Sequence, residues 1–186
     1  MVAGLKLDEL ESLAFKGAET LSSDELFRLL FDKDNIVRAI VAMVLQLRGD
    51  AQLFGKILEL ATHQDAYVRD LCAFLLGQYG TPTKPYRELS IDTLLNLIKD
   101  ENYEVRSGAA AAIGHLYYKD MPPLVEEVLF KAASDRSATV RLSVACALGS
   151  STDVEKAEKI LKKMLNDKSQ NVAEWAEVGL DILSDD

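Results

Sequence analysis

Apolar residues recur along this chain at helical spacing. Leu7, Leu10, Leu13 and Ala14 share one face with Glu9, Glu11 and Lys16 between them, which predicts an amphipathic helix over Leu5 to Gly17. A second helix follows over Asp24 to Phe31, with Ser22 or Ser23 as its N-cap and acids in its first turn, where the free N–H groups and the helix dipole favour them. From there one pattern returns: DKDNIVRAIVAMVLQ (Asp32 to Gln46), HQDAYVRDLCAFLLG (His63 to Gly77), DENYEVRSGAAAAIG (Asp100 to Gly114), DRSATVRLSVACALG (Asp135 to Gly149) and a worn DKSQNVAEWAEVGLD (Asp167 to Asp181). Their arginines stand 31 (38 to 69), 37 (69 to 106) and 35 (106 to 141) residues apart, and 32 more reach Ala173, where a fifth would fall. Periods of this size mean stacked units, none of which buries its apolar face alone.

Each copy predicts an inner helix, B, preceded by an outer helix, A. After the first A helix the others are expected over Ala51 to Ala61, Ser90 to Lys99, Pro122 to Ala133 and Asp153 to Leu165. Four residues before each arginine position stand Asp34, Asp65, Asn102, Ser137 and Ser169, all favoured N-cap types. Two residues earlier are Asp32, Asp100, Asp135 and Asp167, with His63 as the exception. Placed in the turns between A and B, these carboxylates are expected to receive the arginines of neighbouring repeats, so that Arg38, Arg69, Arg106 and Arg141 form a structural ladder. Gly49 and Gly80 are expected to stop the first two B helices. The prolines of Thr81 to Leu89 explain the longest spacing as a loop inserted at one edge. The units are then a cap over 1–21 and repeats over about 22–49, 50–80, 81–119, 120–150 and 151–186, within a single domain.

The pattern D-x-x-x-x-V-R-x-x-A-x-x-x-L-G resembles the HEAT-repeat family, in particular the short type shared with phycobilin lyases. The match covers about Ser22 to Asp186. It is closest in Asp100 to Gly114 and Asp135 to Gly149 and poorest in Asp167 to Asp181, which lacks the arginine and the late glycine. The resemblance implies an all-α fold, a right-handed α-solenoid of about five helix pairs with an N-terminal capping helix, whose B helices line a concave face.

On a helical wheel, each B helix places its Val and the residues four, seven and eight beyond it in one apolar sector, which is the expected core. The Ala position and the one after it are mostly small, which lets helices approach closely. On the opposite sector, at the groove, stand Ile36, Met43, Tyr67, Asp70, Phe74, Leu142, Cys146, Glu174, Glu177, Val178 and Asp181. This face is largely apolar in its first repeats and acidic in its last, and exposed contiguous apolar surface on a soluble protein marks a partner site. Trp175 is expected as an anchor of the last repeat.

Composition narrows the partner. With 21 basic against 30 acidic residues, a net charge of −9 and 48% hydrophobic content, the chain has enough apolar residues for a core and too few clustered cations for a polyanion. Nucleic acid is therefore excluded as the expected ligand, and a basic protein surface favoured. Apolar runs such as Ile36 to Leu47 are broken well short of the roughly 18 residues a membrane span needs, and Met1 to Leu10 has no signal-peptide core. A cytoplasmic monomer is expected. Cys72 and Cys146 lie in different repeats with no Cys or His near either, so neither a disulfide framework nor a zinc site is predicted.

No H-E-x-x-H, G-x-S-x-G, C-x-x-C or Walker-type loop is present. Three HEAT-like enzyme types differ from this chain in their functional residues. Deoxyhypusine hydroxylase holds iron with repeated His-Glu pairs, whereas His63 is followed here by Gln64 and His115 by Leu116. The HEAT-like alkylpurine DNA glycosylases present a basic groove, and this one is acidic. A phycobilin lyase or cofactor chaperone remains the alternative, although bilin carboxylates favour basic partners and Asp70, Glu174 and Glu177 are the opposite. The expected role is a non-catalytic protein-binding module without cofactor or metal, such as an inhibitor or immunity protein for a basic toxin, or an adaptor.

Overall fold

The computed structural model describes residues 7–184, with side chains from residue 12 onward. Among these residues all regular structure is helical: α1 (Leu7–Glu19), α2 (Ser23–Leu29), α3 (Asn35–Leu45), α4 (Ala51–Glu59), α5 (Ala66–Gln78), α6 (Arg87–Leu97), α7 (Tyr103–Leu116), α8 (Pro123–Ala132), α9 (Ala138–Leu148), α10 (Val154–Met164) and α11 (Gln170–Ser184). A short 3-10 turn, Leu60–Thr62, extends α4. The even-numbered helices are the A helices and α3, α5, α7, α9 and α11 the B helices. Helices α5, α7, α9 and α11 pack each on the next, while α1 lies against α3 and α3 touches α5 only lightly. Residues 1–6, where the first predicted helix was expected to begin, lie outside the described residues.

The caps follow from side-chain chemistry. Ser22 and Glu25 form a reciprocal capping box at α2. Asp34, Asp65 and Asn102 accept from the backbone N–H groups of Ile36, Tyr67 and Glu104 at 2.8, 3.0 and 2.7 Å. Ser137 holds the N-cap of α9 without a side-chain bond. Gly49 and Gly80 adopt φ of 89° and 74° beyond the ends of α3 and α5, as chain-stopping glycines do.

Val68, Cys72, Leu75 and Leu76 are buried together, as are Val105, Ala109, Ala112 and Ile113, and Val140, Val144, Ala147 and Leu148. The terminal copies are looser, with Val37 and Leu180 only half-buried. Successive B helices meet along a seam of small residues. A β-carbon added to Gly77 would sit 2.8 Å from the Ala112 Cα, and one added to Gly114 would sit 2.9 Å from the Ala147 Cβ. Larger residues would push the helices apart.

The arginine ladder runs from one repeat to the next. Arg69 grips Asp100 through Nε and an Nη at 2.7 and 2.8 Å. Arg106 grips Asp135 at 2.8 and 2.9 Å, and Arg141 grips Asp167 at 2.7 and 2.8 Å. The other Nη of each arginine donates to turn carbonyls of its own repeat, at 2.8 Å from His63, Asp100 and Asp135. Each aspartate also accepts from the N–H two residues on, at 2.9 Å for Asn102 and 2.8 Å for Ser137 and Ser169. At the first rung His63 stands in the aspartate's place. Its Nδ1 accepts from Asp65 N–H at 3.0 Å, but it offers Arg38 no carboxylate. Arg38 instead lies 4.2 Å over the Tyr67 ring, and its buried Nε has no acceptor among the described residues.

The Thr81–Leu89 insertion packs back onto the first two repeats. Tyr86 stacks on Phe54 with ring centroids 4.3 Å apart and donates to the Gly49 carbonyl at 2.8 Å. Further on, the buried Glu126 on α8 accepts from the Ser151 and Thr152 hydroxyls at 2.7 and 2.9 Å and from Asp153 N–H at 3.0 Å. It thereby ties the α9–α10 connection to the preceding A helix.

Candidate partner-binding groove

The face of the B row turned away from the A helices carries the residues singled out from the sequence. At its N-terminal end Ile36 and Met43 on α3 are 59% and 48% exposed, an unfavourable arrangement for apolar side chains in water. Tyr67 and Phe74 are half-buried against the core rather than fully exposed. Tyr67 is covered on one side by Arg38, and Phe74 packs against the core cluster. The four residues thus form an apolar edge more than an open patch. Leu142 and Cys146 on α9 are also half-buried. At the far end Glu174, Glu177, Val178 and Asp181 on α11 are exposed, Val178 to 41%. Trp175, expected as an anchor, is 40% exposed. It stands on α11, and among the described residues no helix packs over it.

Asp70 has the most unusual surroundings. It projects from α5 against α7, so close that a β-carbon on Gly108 would sit 2.2 Å from its Oδ1. No described side chain or N–H reaches it with a hydrogen bond or ion pair. Burial, and then the charge of Glu104, push its carboxyl up to about 6. Sequence placed Asp70 in the groove but gave no sign of this desolvation, which depends on how closely α7 approaches at Gly108.

A cleft of ≈ 770 Å³ opens between α1 and α3. Phe15, Ile36, Ala39, Ile40 and Met43 line it, with Ser12, Lys16, Glu19 and Asn35 at the edges. Sequence reasoning missed it because α1 was read only as a cap. The amphipathic pattern of α1 shows that it packs, not how tightly.

The face offers little for catalysis. Burial raises the Cys146 thiol above its ordinary value, so it is a poor nucleophile at neutral pH. Cys72 is buried, pushed up to about 12, and its Sγ lies 3.2 Å from the Ile57 carbonyl. Among the described residues no group of three or more His, Cys, Asp or Glu is placed to hold a metal ion. No helix among them is long and apolar enough to cross a membrane.

Comparison with known proteins agrees with this geometry. The family model for HEAT repeats matches residues 54–128 and 91–181. Protein YibA of Escherichia coli K12 is 30% identical over 173 residues, which cover 90% of this chain and 60% of YibA, so the chain spans about three fifths of that relative. The YibA crystal structure superposes with a TM-score of 0.79 at 26% identity, covering 100% of this chain and 66% of that one. Deoxyhypusine hydroxylase of Aspergillus niger is 35% identical over 124 residues, covering 66% of this chain and 36% of that enzyme. A designed armadillo repeat protein in complex with the peptide (KR)4 shares the fold with a TM-score of 0.56 at 15% identity, covering 97% of this chain and 95% of that one. With a repeat ladder that joins neighbouring units, a seam of small residues between B helices and a family model matching most of its length, this chain belongs to the HEAT-repeat family.

Proposed function

We propose that this solenoid is a non-catalytic module that holds a partner protein along the exposed face of its B helices. The observation that carries the reading is the character of that face, apolar at one end and acidic at the other. Ile36 and Met43 stand exposed on α3, while Asp70, Glu177 and Asp181 bear carboxylates without an ion pair among the described residues. Such a surface suits a partner with an apolar contact and basic residues, and the designed armadillo protein with its (KR)4 peptide illustrates that a solenoid of this kind accommodates a basic chain. Within this class, an inhibitor of a basic toxin or an assembly adaptor in the cytoplasm fits the net charge of −9.

The test is to capture the partner from the native host, cross-link it and map the contacts, then measure association kinetics. Phe74→Ala should weaken binding at least tenfold through a faster off-rate, with circular dichroism showing that the variant, whose ring is half-buried against the core, stays folded. Glu174→Lys should slow association and change its salt dependence. Cross-links confined to α2, α4, α6, α8 and α10 would place the partner on the outer face and end the proposal.

A further inference from the structure

We infer that the cleft between α1 and α3 is the anchor pocket for an apolar side chain of a partner protein, and that Asp70 with Glu104 receives a Lys or Arg farther along the same segment. The inference rests on the groove-binding reading above and gives the partner a sequence pattern.

Three features support it. From α5 to α11, B helices meet closely through Gly77, Gly114 and Gly149 against Ala112, Ala147 and Gly179, with no room for a side chain at those points. Between α1 and α3 the equivalent space is open, and its walls are Phe15, Ile36, Ile40 and Met43. An open, apolar, large-walled gap of ≈ 770 Å³ is big enough for one or two Leu- or Phe-sized groups.

Asp70 occupies on α5 the place that Ala39, a residue of the cleft wall, occupies on α3. Its carboxylate is half-buried and unpaired, with the charge of Glu104 on α7 acting on it, while Arg38 of α3 is turned onto Tyr67. An incoming ammonium or guanidinium would supply the missing counter-charge where water is scarce. Charge also decides between occupants. A second copy of this chain would bring another net −9 onto an acidic face, whereas a basic segment is attracted to it. Neighbouring helix axes lie about 10 Å apart, so the anchor and the basic residue are separated by roughly 10 to 20 Å. An extended chain covers that in about three to six residues.

The experiment uses the full chain and fluorescein-labelled peptides: one with a Leu-Phe pair followed four residues later by Lys-Arg, a scrambled peptide of the same composition, and (Lys-Arg)4. Anisotropy should show the patterned peptide binding at least tenfold more tightly than the scrambled one. Ala39→Trp and Ser12→Trp, which fill the cleft from opposite walls at exposed positions, should each remove that advantage while circular dichroism stays unchanged. Affinity for the patterned peptide should rise from pH 5 to pH 7 as Asp70 ionises, and Asp70→Asn should flatten the rise. Unchanged binding by both tryptophan variants overturns the anchor pocket, and a flat pH profile in the unmodified protein overturns the Asp70 contact. If (Lys-Arg)4 binds in a Glu174-dependent way with no pattern preference, the groove reading stands and this inference falls. If no basic peptide binds, both fall. Sedimentation showing a dimer that Ala39→Trp dissolves would assign the cleft to a second copy and overturn the partner proposed here.

Discussion

Ala109 and Ala111 stand two positions apart on α7 and meet different surroundings. Ala109 is fully buried beneath the B-helix seam, whereas Ala111 is half-buried toward the groove. Ala109→Leu should therefore overpack the third repeat and cost about 1 to 3 kcal/mol. Ala111→Leu should cost less, though not nothing, because α7 is more closely flanked than a fully exposed position would be. Urea midpoints for the two variants check this, and equal shifts would mean that the buried sector is misassigned. His63 gives the converse case. An aspartate there would keep the acceptor for Asp65 N–H and add the carboxylate that Arg38 lacks. His63→Asp should raise stability by about 1 kcal/mol, as a charge-assisted hydrogen bond does. A fall in the urea midpoint would show that the Arg38–Tyr67 stack is worth more than the bridge that would replace it.

Between elements, the ladder and Asp70 respond to pH in opposite directions. The Arg69 guanidinium holds Asp100 below the ordinary carboxylate range, and Arg141 does the same for Asp167. Burial opposes the shift at Asp135, but its bonds from Arg106 and Ser137 outweigh it. These groups bind protons more weakly when folded, so their contribution is complete above about pH 4 and is lost as pH falls through the depressed values. Asp70 is raised to about 6, so the folded state binds its proton more tightly than the unfolded chain. Asp70 therefore favours the fold as pH falls from 7 toward 5, His115, held below its ordinary value by burial, works against it in the same range, and the ladder lowers stability below about 4. Chemical denaturation across this range measures the profile. Asp70→Asn should remove the favourable contribution between pH 7 and 5 alone, and its survival would place its origin in another group.

Over the whole molecule, the repeats are not equally joined. From α5 to α11 each B helix rests on the next along a close seam, braced by three complete arginine rungs. Between α3 and α5 the seam is thin, the rung is incomplete, and the junction depends on Tyr86, Phe54 and the approach of Gly49 to Gly80. In a solenoid, stability is a sum over repeats and their interfaces, so the weakest interface opens first. Native-state hydrogen exchange should show the amides of α3 opening at lower free energy than those of α7 by at least about 1 kcal/mol. Uniform protection from α3 to α9 would mean that the aromatic junction fully compensates. This same end of the molecule carries the open cleft and the exposed apolar residues Ile36 and Met43, so partner binding there should slow exchange in α3 selectively.

The repeat, the A–B alternation, the N-caps and the acceptors for the arginine ladder were legible in the sequence because each depends on local spacing. A Val-Arg pair at fixed distance from a turn aspartate has one geometry in every copy, and one departure, His63, marks where the ladder breaks. The helix bounds shifted by up to about three residues because local propensity does not say where packing ends a turn. Membership of the B-helix face followed from the helical wheel as well. Its depth did not: Tyr67 and Phe74 are half-buried and Trp175 exposed because exposure depends on how close the neighbouring helix comes. The role of Glu126 was not legible in the sequence, since its hydrogen-bond donors, Ser151, Thr152 and Asp153, are brought to it from the next connection. Likewise the α1–α3 cleft and the desolvation of Asp70 arise from separations of a few ångströms between helices distant in sequence. Hydrophobic periodicity determines which face packs, and only the summed side-chain volumes of both partners determine how closely.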